Sequence, residues 1–358
     1  MKKLFGTAIL LIVAMTVHAG GAREPQTGGT NSGNVSAQTR TQTETPSSGS
    51  GNQAALTWTL VTQSGIPDYM ASVAYGNGRF IAVGGTGRVA STSMAYSTDG
   101  ITWTAVTSSV FSDVAFGNVV FEGGKFFVYG SGRIASSTDG VNWTRAVDDQ
   151  FNRQDIQGIR YVDGKYVLAL YDGRIAHSVD GVTWTMLART NLYNIRDGSL
   201  RYAGGKLFAV WGVTGHNRRL SYSEDAGITW TNIATILGGG YVTNSAIAYG
   251  DGKFVVGGEE GKMAYSTDGC ITWTTVEDST FGGSNIRYIA YSGGKFVAVG
   301  GGKIAYSVDG VTWTAVEFDI FGGIDISGIA YGAGRFVAVG KTDWQSNDGK
   351  IAYSNVQE

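Results

Sequence analysis

The chain of 358 residues contains one cysteine, three prolines and three histidines. A single thiol, Cys270, excludes an internal disulfide framework and any zinc site built from cysteines. Charge is scarce and balanced: charged residues are 16% of the chain, 27 basic against 29 acidic, for a net charge of −2. Without Lys2 and Lys3 the balance is 25 against 29, or −4. Nothing in that balance steers the protein towards nucleic acid or an anionic membrane. The sequence also lacks Ser-His-Asp grammar, a phosphate loop and a histidine cluster, so no cofactor and no metal is expected.

What is abundant is glycine, 55 residues, about twice the usual share. Aromatic residues reach 12%. Glycine shows no strict three-residue period and proline is rare, which excludes a collagen-like chain. Many turns together with many aromatics point to an all-β protein.

Lys2 and Lys3 precede an apolar run from Leu4 to Val17, and Val17-His18-Ala19 with small residues follows. That order predicts a secretory signal peptide over residues 1–19, with an uncleaved membrane anchor as the rival reading. The run is too short for a comfortable transmembrane span, and no cysteine lies near the cleavage region to carry a lipid. Residues 20–55 are Gly, Ser, Thr, Gln and Asn with Pro25 and Pro46. They hold too few large apolar side chains to offset the entropy of ordering, so a disordered tether is expected. The expected location is secreted, periplasmic or at the cell surface, with no integral membrane domain after cleavage.

From Leu56 the chain repeats itself. A tryptophan recurs at Trp58, Trp103, Trp143, Trp184, Trp230, Trp273 and Trp313, at intervals of 45, 40, 41, 46, 43 and 40 residues. A turn followed by a basic and an apolar residue recurs at Gly78-Arg79-Phe80, Gly124-Lys125-Phe126, Gly164-Lys165-Tyr166, Gly205-Lys206-Leu207, Gly252-Lys253-Phe254, Gly294-Lys295-Phe296 and Gly334-Arg335-Phe336. Each unit reads as four short strands, a to d. In the sixth they are Ile289–Tyr291, Phe296–Val299, Ile304–Ser307 and Thr312-Trp313-Thr314. Apolar alternation at period two between glycine pairs is hairpin patterning, and no segment sustains a helical period. Units of about 43 residues with four antiparallel strands predict a β-propeller over residues 56–358. The last unit supplies only strands a, b and c, ending at Ile351-Ala352-Tyr353-Ser354. Its missing fourth strand is Leu56-Thr57-Trp58-Thr59-Leu60, so a closed wheel of seven blades is expected, with no orphan edge.

The turns before the tryptophans resemble the Asp-box, or bacterial neuraminidase repeat, S-x-D-x-G-x-T-W. Ser223-Glu224-Asp225-Ala226-Gly227-Ile228-Thr229-Trp230 fits it in full. Cys270 stands where the family has glycine in the Ser266–Trp273 copy. The copies at Ser97–Trp103, Ser137–Trp143, Ser178–Trp184 and Ser307–Trp313 are one residue shorter. The resemblance implies a sialidase-like superfamily propeller and a structural role for Asp99, Asp139, Asp180, Asp225, Asp268 and Asp309. The box also occurs in other glycosidases, sorting receptors and assembly factors, so it implies no one activity. True sialidases carry an aromatic-Arg-Ile-Pro motif on a six-bladed ring. Here Ser64-Gly65-Ile66-Pro67 has no arginine, and the blade count is seven.

Antiparallel order puts the a–b and c–d turns on one face and the variable b–c and d–a connections on the other. Function on repeat scaffolds sits in variable loops, so the second face is the expected binding surface. The candidate ligand-binding residues are Tyr69, Trp211, His216, Arg218, Asp343, Trp344 and Asp348, with Trp344 alternatively folding its own loop down. Phe111, Phe151, Phe281 and Phe321, each ten residues before the aromatic of the next strand a, read as blade packing. Asp148, Asp149, Asp155, Asp197, Asp278, Asp319 and Asp325 lie on the same face. A glycosidase needs two facing acids, and these read first as solvated loop residues. His177 replaces the tyrosine of a repeated Ala-Tyr-Ser, which predicts packing. The basic residues after the a–b turns, and those opening strand c (Arg133, Arg174, Arg219, Lys262, Lys303, Lys350), are placed by the repeat and form no nucleic-acid stripe. The expected function is an exported, monomeric binding module for a glycan or a protein. A glycoside hydrolase is the main alternative and an extracytoplasmic assembly scaffold the second.

Overall fold

The structure is a computed structural model that describes residues 56–62, 70–85, 92–107, 110, 116–130, 132–146, 151, 154–196, 198–212, 218–233, 236–237, 242–317, 319–341 and 349–355. The expected signal peptide and tether lie outside the described residues. The chain forms a seven-bladed β-propeller of four-stranded antiparallel sheets with almost no helix. Among the described residues no helix is long and apolar enough to cross a membrane.

Strand β1 (Thr57–Leu60) opens the described chain. Blade one is β2 (Ser72–Gly76), β3 (Arg79–Gly85), β4 (Thr92–Ser97) and β5 (Thr104–Ala105). Blade two is β6 (Asn118–Glu122), β7 (Lys125–Gly130), β8 (Arg133–Ser137) and β9 (Thr144–Arg145). Blade three is β10 (Ile156–Val162), β11 (Lys165–Leu170), β12 (Ile175–Ser178) and β13 (Thr185–Met186). Blade four is β14 (Arg201–Ala203), β15 (Lys206–Trp211), β16 (Arg219–Ser223) and β17 (Thr231–Ile233). Blade five is β18 (Val242–Gly250), β19 (Lys253–Gly258), β20 (Met263–Ser266) and β21 (Thr274–Thr275). Blade six is β22 (Tyr288–Ser292), β23 (Lys295–Gly300), β24 (Lys303–Ser307) and β25 (Thr314–Ala315). Blade seven is β26 (Asp325–Gly332), β27 (Arg335–Lys341) and β28 (Gly349–Asn355), with β1 as its fourth strand.

The closure is antiparallel, pairing Thr57 with Asn355, Trp58 with Ser354, Thr59 with Tyr353 and Leu60 with Ala352. The Val61 N–H extends it to Ile351 O at 2.8 Å. The outermost strands of the other six blades begin after the tryptophan expected inside them, and five of the six are only two residues long. In blade six the ladder takes Thr314–Ala315 rather than Thr312–Thr314. The reason is visible at Trp103, Trp143 and Trp230, whose indole N–H groups donate back to the carbonyls of Gly100, Gly140 and Gly227 at 3.2, 3.1 and 3.0 Å. Those tryptophans finish the turn before the ladder begins. Trp58, which no Ser-x-Asp box precedes in the sequence, lies inside its strand.

The core is seven clusters, each shared by two neighbouring blades. Ile81, Val83 and Met94 of blade one meet Phe126, Val128 and Trp143 of blade two. Val337, Val339 and Ile351 of blade seven meet Phe80, Ala82 and Trp103 of blade one, so the ring has no seam. Each second strand is therefore buried on both sides, as Phe80-Ile81-Ala82-Val83 shows. Phe151, Phe281 and Phe321 are buried in these interfaces, as expected for packing residues, whereas Phe111 lies outside the described residues.

The c–d turns are built alike. In the first, Asp99 Oδ1 accepts the Ile101 and Thr102 N–H groups at 2.8 Å each, and Ser97 Oγ accepts the Gly100 N–H at 2.8 Å. Asp139, Asp180, Asp225, Asp268 and Asp309 repeat the arrangement. These donors hold the carboxyls below their ordinary range. Asp180 sits at about 2 through the Thr183 and Val182 N–H groups. Asp268 sits at about 2 through the Thr272 hydroxyl and N–H. At Asp225 burial pushes the other way and the Thr229 donors outweigh it, again giving about 2. Two of the basic side chains after the a–b turns latch their turn to the next blade: Arg79 donates to Asp139 O, and Lys125 Nζ to Asp180 O at 2.8 Å. At the other end Lys303 and Lys350 donate to the carbonyls of Phe281 and Phe321 at 2.8 and 2.9 Å.

Two outcomes follow. Deleting residues 56–61 removes the fourth strand of blade seven, at about 1.5–3 kcal/mol for each apolar side chain no longer buried. Urea unfolding should lose its single steep transition, and an unchanged midpoint would refute the closure. The depressed aspartates stabilise the fold above the ordinary carboxylate range of about pH 4. That contribution is lost as pH falls through their folded values near 2. The melting temperature should be level above about pH 4.5 and fall between about pH 4 and 2. Asp180→Asn should shrink the fall.

Candidate functional site

Of the candidate ligand residues, Tyr69, His216, Asp343, Trp344 and Asp348 lie outside the described residues. Trp211 and Arg218 are described, and the structure does not bring them together. Trp211 is the last residue of β15, paired with Arg219, and only 4% exposed. It belongs to the core between blades three and four, with Val167, Ile175, Leu192 and Ile195. Its indole N–H donates to Ser221 Oγ at 2.7 Å, and that hydroxyl donates to Asn232 Oδ1 at 2.7 Å. Trp211 is thus a wall residue and not an open platform, because the ladder runs one residue further than the sequence suggests. Arg218 reaches the other way, to Glu259 Oε1 of blade five at 3.0 Å.

What the structure does assemble on this face is the d–a connection between blades three and four. The Ile195 N–H donates to Tyr171 O and the Gly212 N–H to Tyr193 O, both at 3.0 Å, and the Arg196 N–H to Val210 O at 3.1 Å. Thr190 Oγ1 donates to Gly173 O at 2.6 Å. Leu192 and Ile195 are buried as pegs, which leaves Tyr171 and Tyr193 exposed at 42% and 46%. The Tyr193 ring meets Trp211 edge-on at 5.1 Å, and the Arg219 guanidinium stands 5.6 Å from the Trp211 ring centre. Arg174 is held by Asp172 at 2.7 Å. The result is two phenol rings and several guanidinium groups on backbone that is bonded in place. Sequence reading missed both tyrosines. Tyr171 was readable as an aromatic in a Tyr-Asp-Gly hairpin turn where the other blades have glycine or polar residues.

A concave feature lies in the central channel, about 300 Å³, lined by the innermost strands. Arg160, Arg201, Glu122, Asn118, Ser72 and Tyr288 are among the polar residues lining it. Glu122 Oε1 stands 3.6 Å from the Arg160 guanidinium, and Oε2 accepts the Tyr161 N–H at 2.9 Å. Burial pushes the Glu122 carboxyl up, against the pull of Arg160 and of that N–H.

Two of the loop acids, Asp325 and Asp278, and His177 have structural partners. Asp325 accepts Arg287 Nε at 3.0 Å and the Gly301 N–H at 2.7 Å. Asp278 accepts the Thr280 N–H at 2.7 Å. Asp148, Asp149 and Asp197 lie outside the described residues. His177 Nε2 is 2.7 Å from Ala226 O, tying blade three to the c–d turn of blade four. Cys270 is buried at φ 79°, a left-handed position suited to glycine. Burial pushes its thiol up to about 12, despite the pull of Lys206.

A family profile described as the DUF6242 beta propeller domain matches residues 53–156. Searched against curated proteins, the sequence gives no match. Solved propellers do match. YCF48 from Cyanidioschyzon merolae is 19% identical, with a TM-score of 0.62, covering 83% of this chain and 98% of that one. A structure of YCF48 bound to D1 peptide is 17% identical, with a TM-score of 0.66, covering 84% and 97%. A catalytically inactive virginiamycin B lyase from Staphylococcus aureus with quinupristin is 11% identical, with a TM-score of 0.60, covering 85% and 100%. At these identities the likeness is one of fold.

A raised, buried thiol should not react. In native buffer Cys270 should resist a thiol-specific reagent at pH 8 and react fully once urea unfolds the chain. Rapid native labelling would contradict the assignment.

Proposed function

We propose that this propeller is an exported, monomeric binding module that recognises an extended protein segment through the face bearing the b–c and d–a connections. The observation that carries the reading is the pair of exposed tyrosines, Tyr171 and Tyr193, on backbone bonded to two blades and backed by Trp211. Exposed aromatics pre-ordered beside arginines are the composition of binding hot spots. Pre-ordering removes part of the entropy cost of association. The fold-level likeness to a propeller seen with a bound peptide adds support. In this reading the serine–aspartate turns are Asp-boxes with a scaffold role, on the opposite face. Tyr69, His216, Asp343, Trp344 and Asp348, outside the described residues, stay candidates for the same surface on their sequence positions alone.

A glycan is the second reading, favoured by the Tyr171 ring beside the paired Asp172 and Arg174. Glycoside hydrolysis has less support, since Asp325 and Asp278 are committed to Arg287 and to backbone N–H groups. An assembly scaffold is the same chemistry with a protein complex as partner.

The test is selection of ligands from a random peptide library and from a glycan array, using the full chain. Tyr193→Ala should weaken the selected peptides at least about tenfold, a loss of about 1.4 kcal/mol, with the melting temperature nearly unchanged. Trp211→Ala should instead destabilise the fold by about 3–5 kcal/mol. Glycans selected in place of peptides would move the assignment to the second reading, and selected ligands indifferent to Tyr193→Ala would overturn the site.

A further inference from the structure

The seven blades can be compared with one another position by position. Four residues before the glycine that ends each inner hairpin turn, they carry Ala74, Val120, Arg160, Arg201, Ala248, Ala290 and Ala330. Five blades place a small apolar side chain there, and two adjacent blades place arginine. Packing alone does not require this, since alanine or valine satisfies the same position in the rest of the ring. A guanidinium withdrawn from water needs a compensating partner.

The partners on hand are too few. Arg160 is only 6% exposed, donates to its neighbour's carbonyl, Ile159 O, at 2.5 Å and has Glu122 at 3.6 Å. Arg201 donates to its neighbour's carbonyl, Leu200 O, at 3.1 Å and lies over the Tyr288 ring at 5.3 Å. Among the described residues it has no carboxylate partner. Both arginines line the channel, and Glu122 is the one acid among the described residues lining it. That acid is already shared with the Tyr161 N–H, and burial favours its neutral form. Two guanidinium groups therefore face a cavity of about 300 Å³ with at most one negative charge between them. Such a volume is at the small end for ligand sites and admits no folded partner. With Glu122 ionised or neutral, the described lining carries one or two positive charges in excess, which favours an anion, and a planar guanidinium meets a carboxylate through paired hydrogen bonds.

We infer that the central channel is a carboxylate-binding site, with Arg201 as the primary contact, Arg160 as the second, and Tyr288 and Asn118 as neighbouring polar groups. The carboxylate belongs to a small organic acid or to the terminal residue of an extended peptide. Tyr171 and Tyr193 do not line the channel, so the site stands apart from the loop-face reading and survives its failure.

The test uses calorimetry on the full chain with four probes: succinate, an acetylated alanine tripeptide with a free carboxyl, the same tripeptide as its amide, and inorganic phosphate. Saturable binding is expected for succinate, for the free-acid tripeptide, or for both. Binding of the free acid and not the amide assigns a chain terminus, and binding of succinate alone assigns a small acid. Arg201→Ala should weaken the binding at least about tenfold, while Tyr193→Ala leaves it unchanged. If Arg201→Ala does not fold, Arg201→Gln keeps the bulk over Tyr288 and removes the charge, with the same loss expected. No binding by either carboxylate up to about 10 mM, equal binding of the amide, or tighter binding of phosphate would overturn the inference. So would a carboxylate affinity indifferent to both Arg201 variants.

Discussion

A blade of this chain has two apolar faces and cannot bury either by itself. Ile81 and Val83 point into one neighbour, Phe80 and Ala82 into the other, and all four are withdrawn from water only because both neighbours are present. The hydrophobic contribution is therefore a property of the ring rather than of the unit. This is why the pairing of β1 with β28 matters beyond its four residue pairs. It completes blade seven, and through it the two clusters that blade shares with blades six and one.

Around that constraint the polar groups divide by face. On the a–b and c–d face each aspartate accepts two backbone N–H groups, and basic side chains carry the bonding from one blade to the next. These are repeated solutions to one problem, namely buried or crowded backbone donors at a tight turn. The fit extends to close approach: a Cβ on Gly76 would overlap the Phe121 ring, and one on Gly332 the Tyr75 ring. Where the preceding blade has Glu122, Val162 or Ala203 instead of glycine, the tyrosine that follows in the next blade, Tyr161, Tyr202 or Tyr249, is pushed out into solvent. A side chain added at one position in the repeat is felt in the next blade.

Departures from the repeat are where binding chemistry gathers. Tyr171 occupies a turn that is otherwise glycine-rich, and Arg160 and Arg201 occupy a position that is otherwise alanine or valine. Both sets fall in blades three and four. The loop between those blades is bonded to its surroundings through Tyr171, Tyr193, Val210 and Gly173.

The sequence alone determined the number of blades, the four-strand order, the closure by the first strand and the packing role of Phe151, Phe281 and Phe321. All of these depend on local periodicity and on spacing that recurs seven times, and such signals are carried by near neighbours along the chain. It also contained the two channel arginines as breaks in a repeat, legible once the blades are aligned on their turn glycines. Only the tertiary structure decided that Trp211 faces inward, that Arg218 turns to blade five, and that Tyr171, far in sequence from Tyr193, shares a surface with it. Those outcomes depend on where a strand's last ladder pair falls and on which blade presses from the side. A one-residue change in the end of a strand reverses the face its side chain takes, and nothing local to Trp211 encodes the Ser221 hydroxyl that receives it.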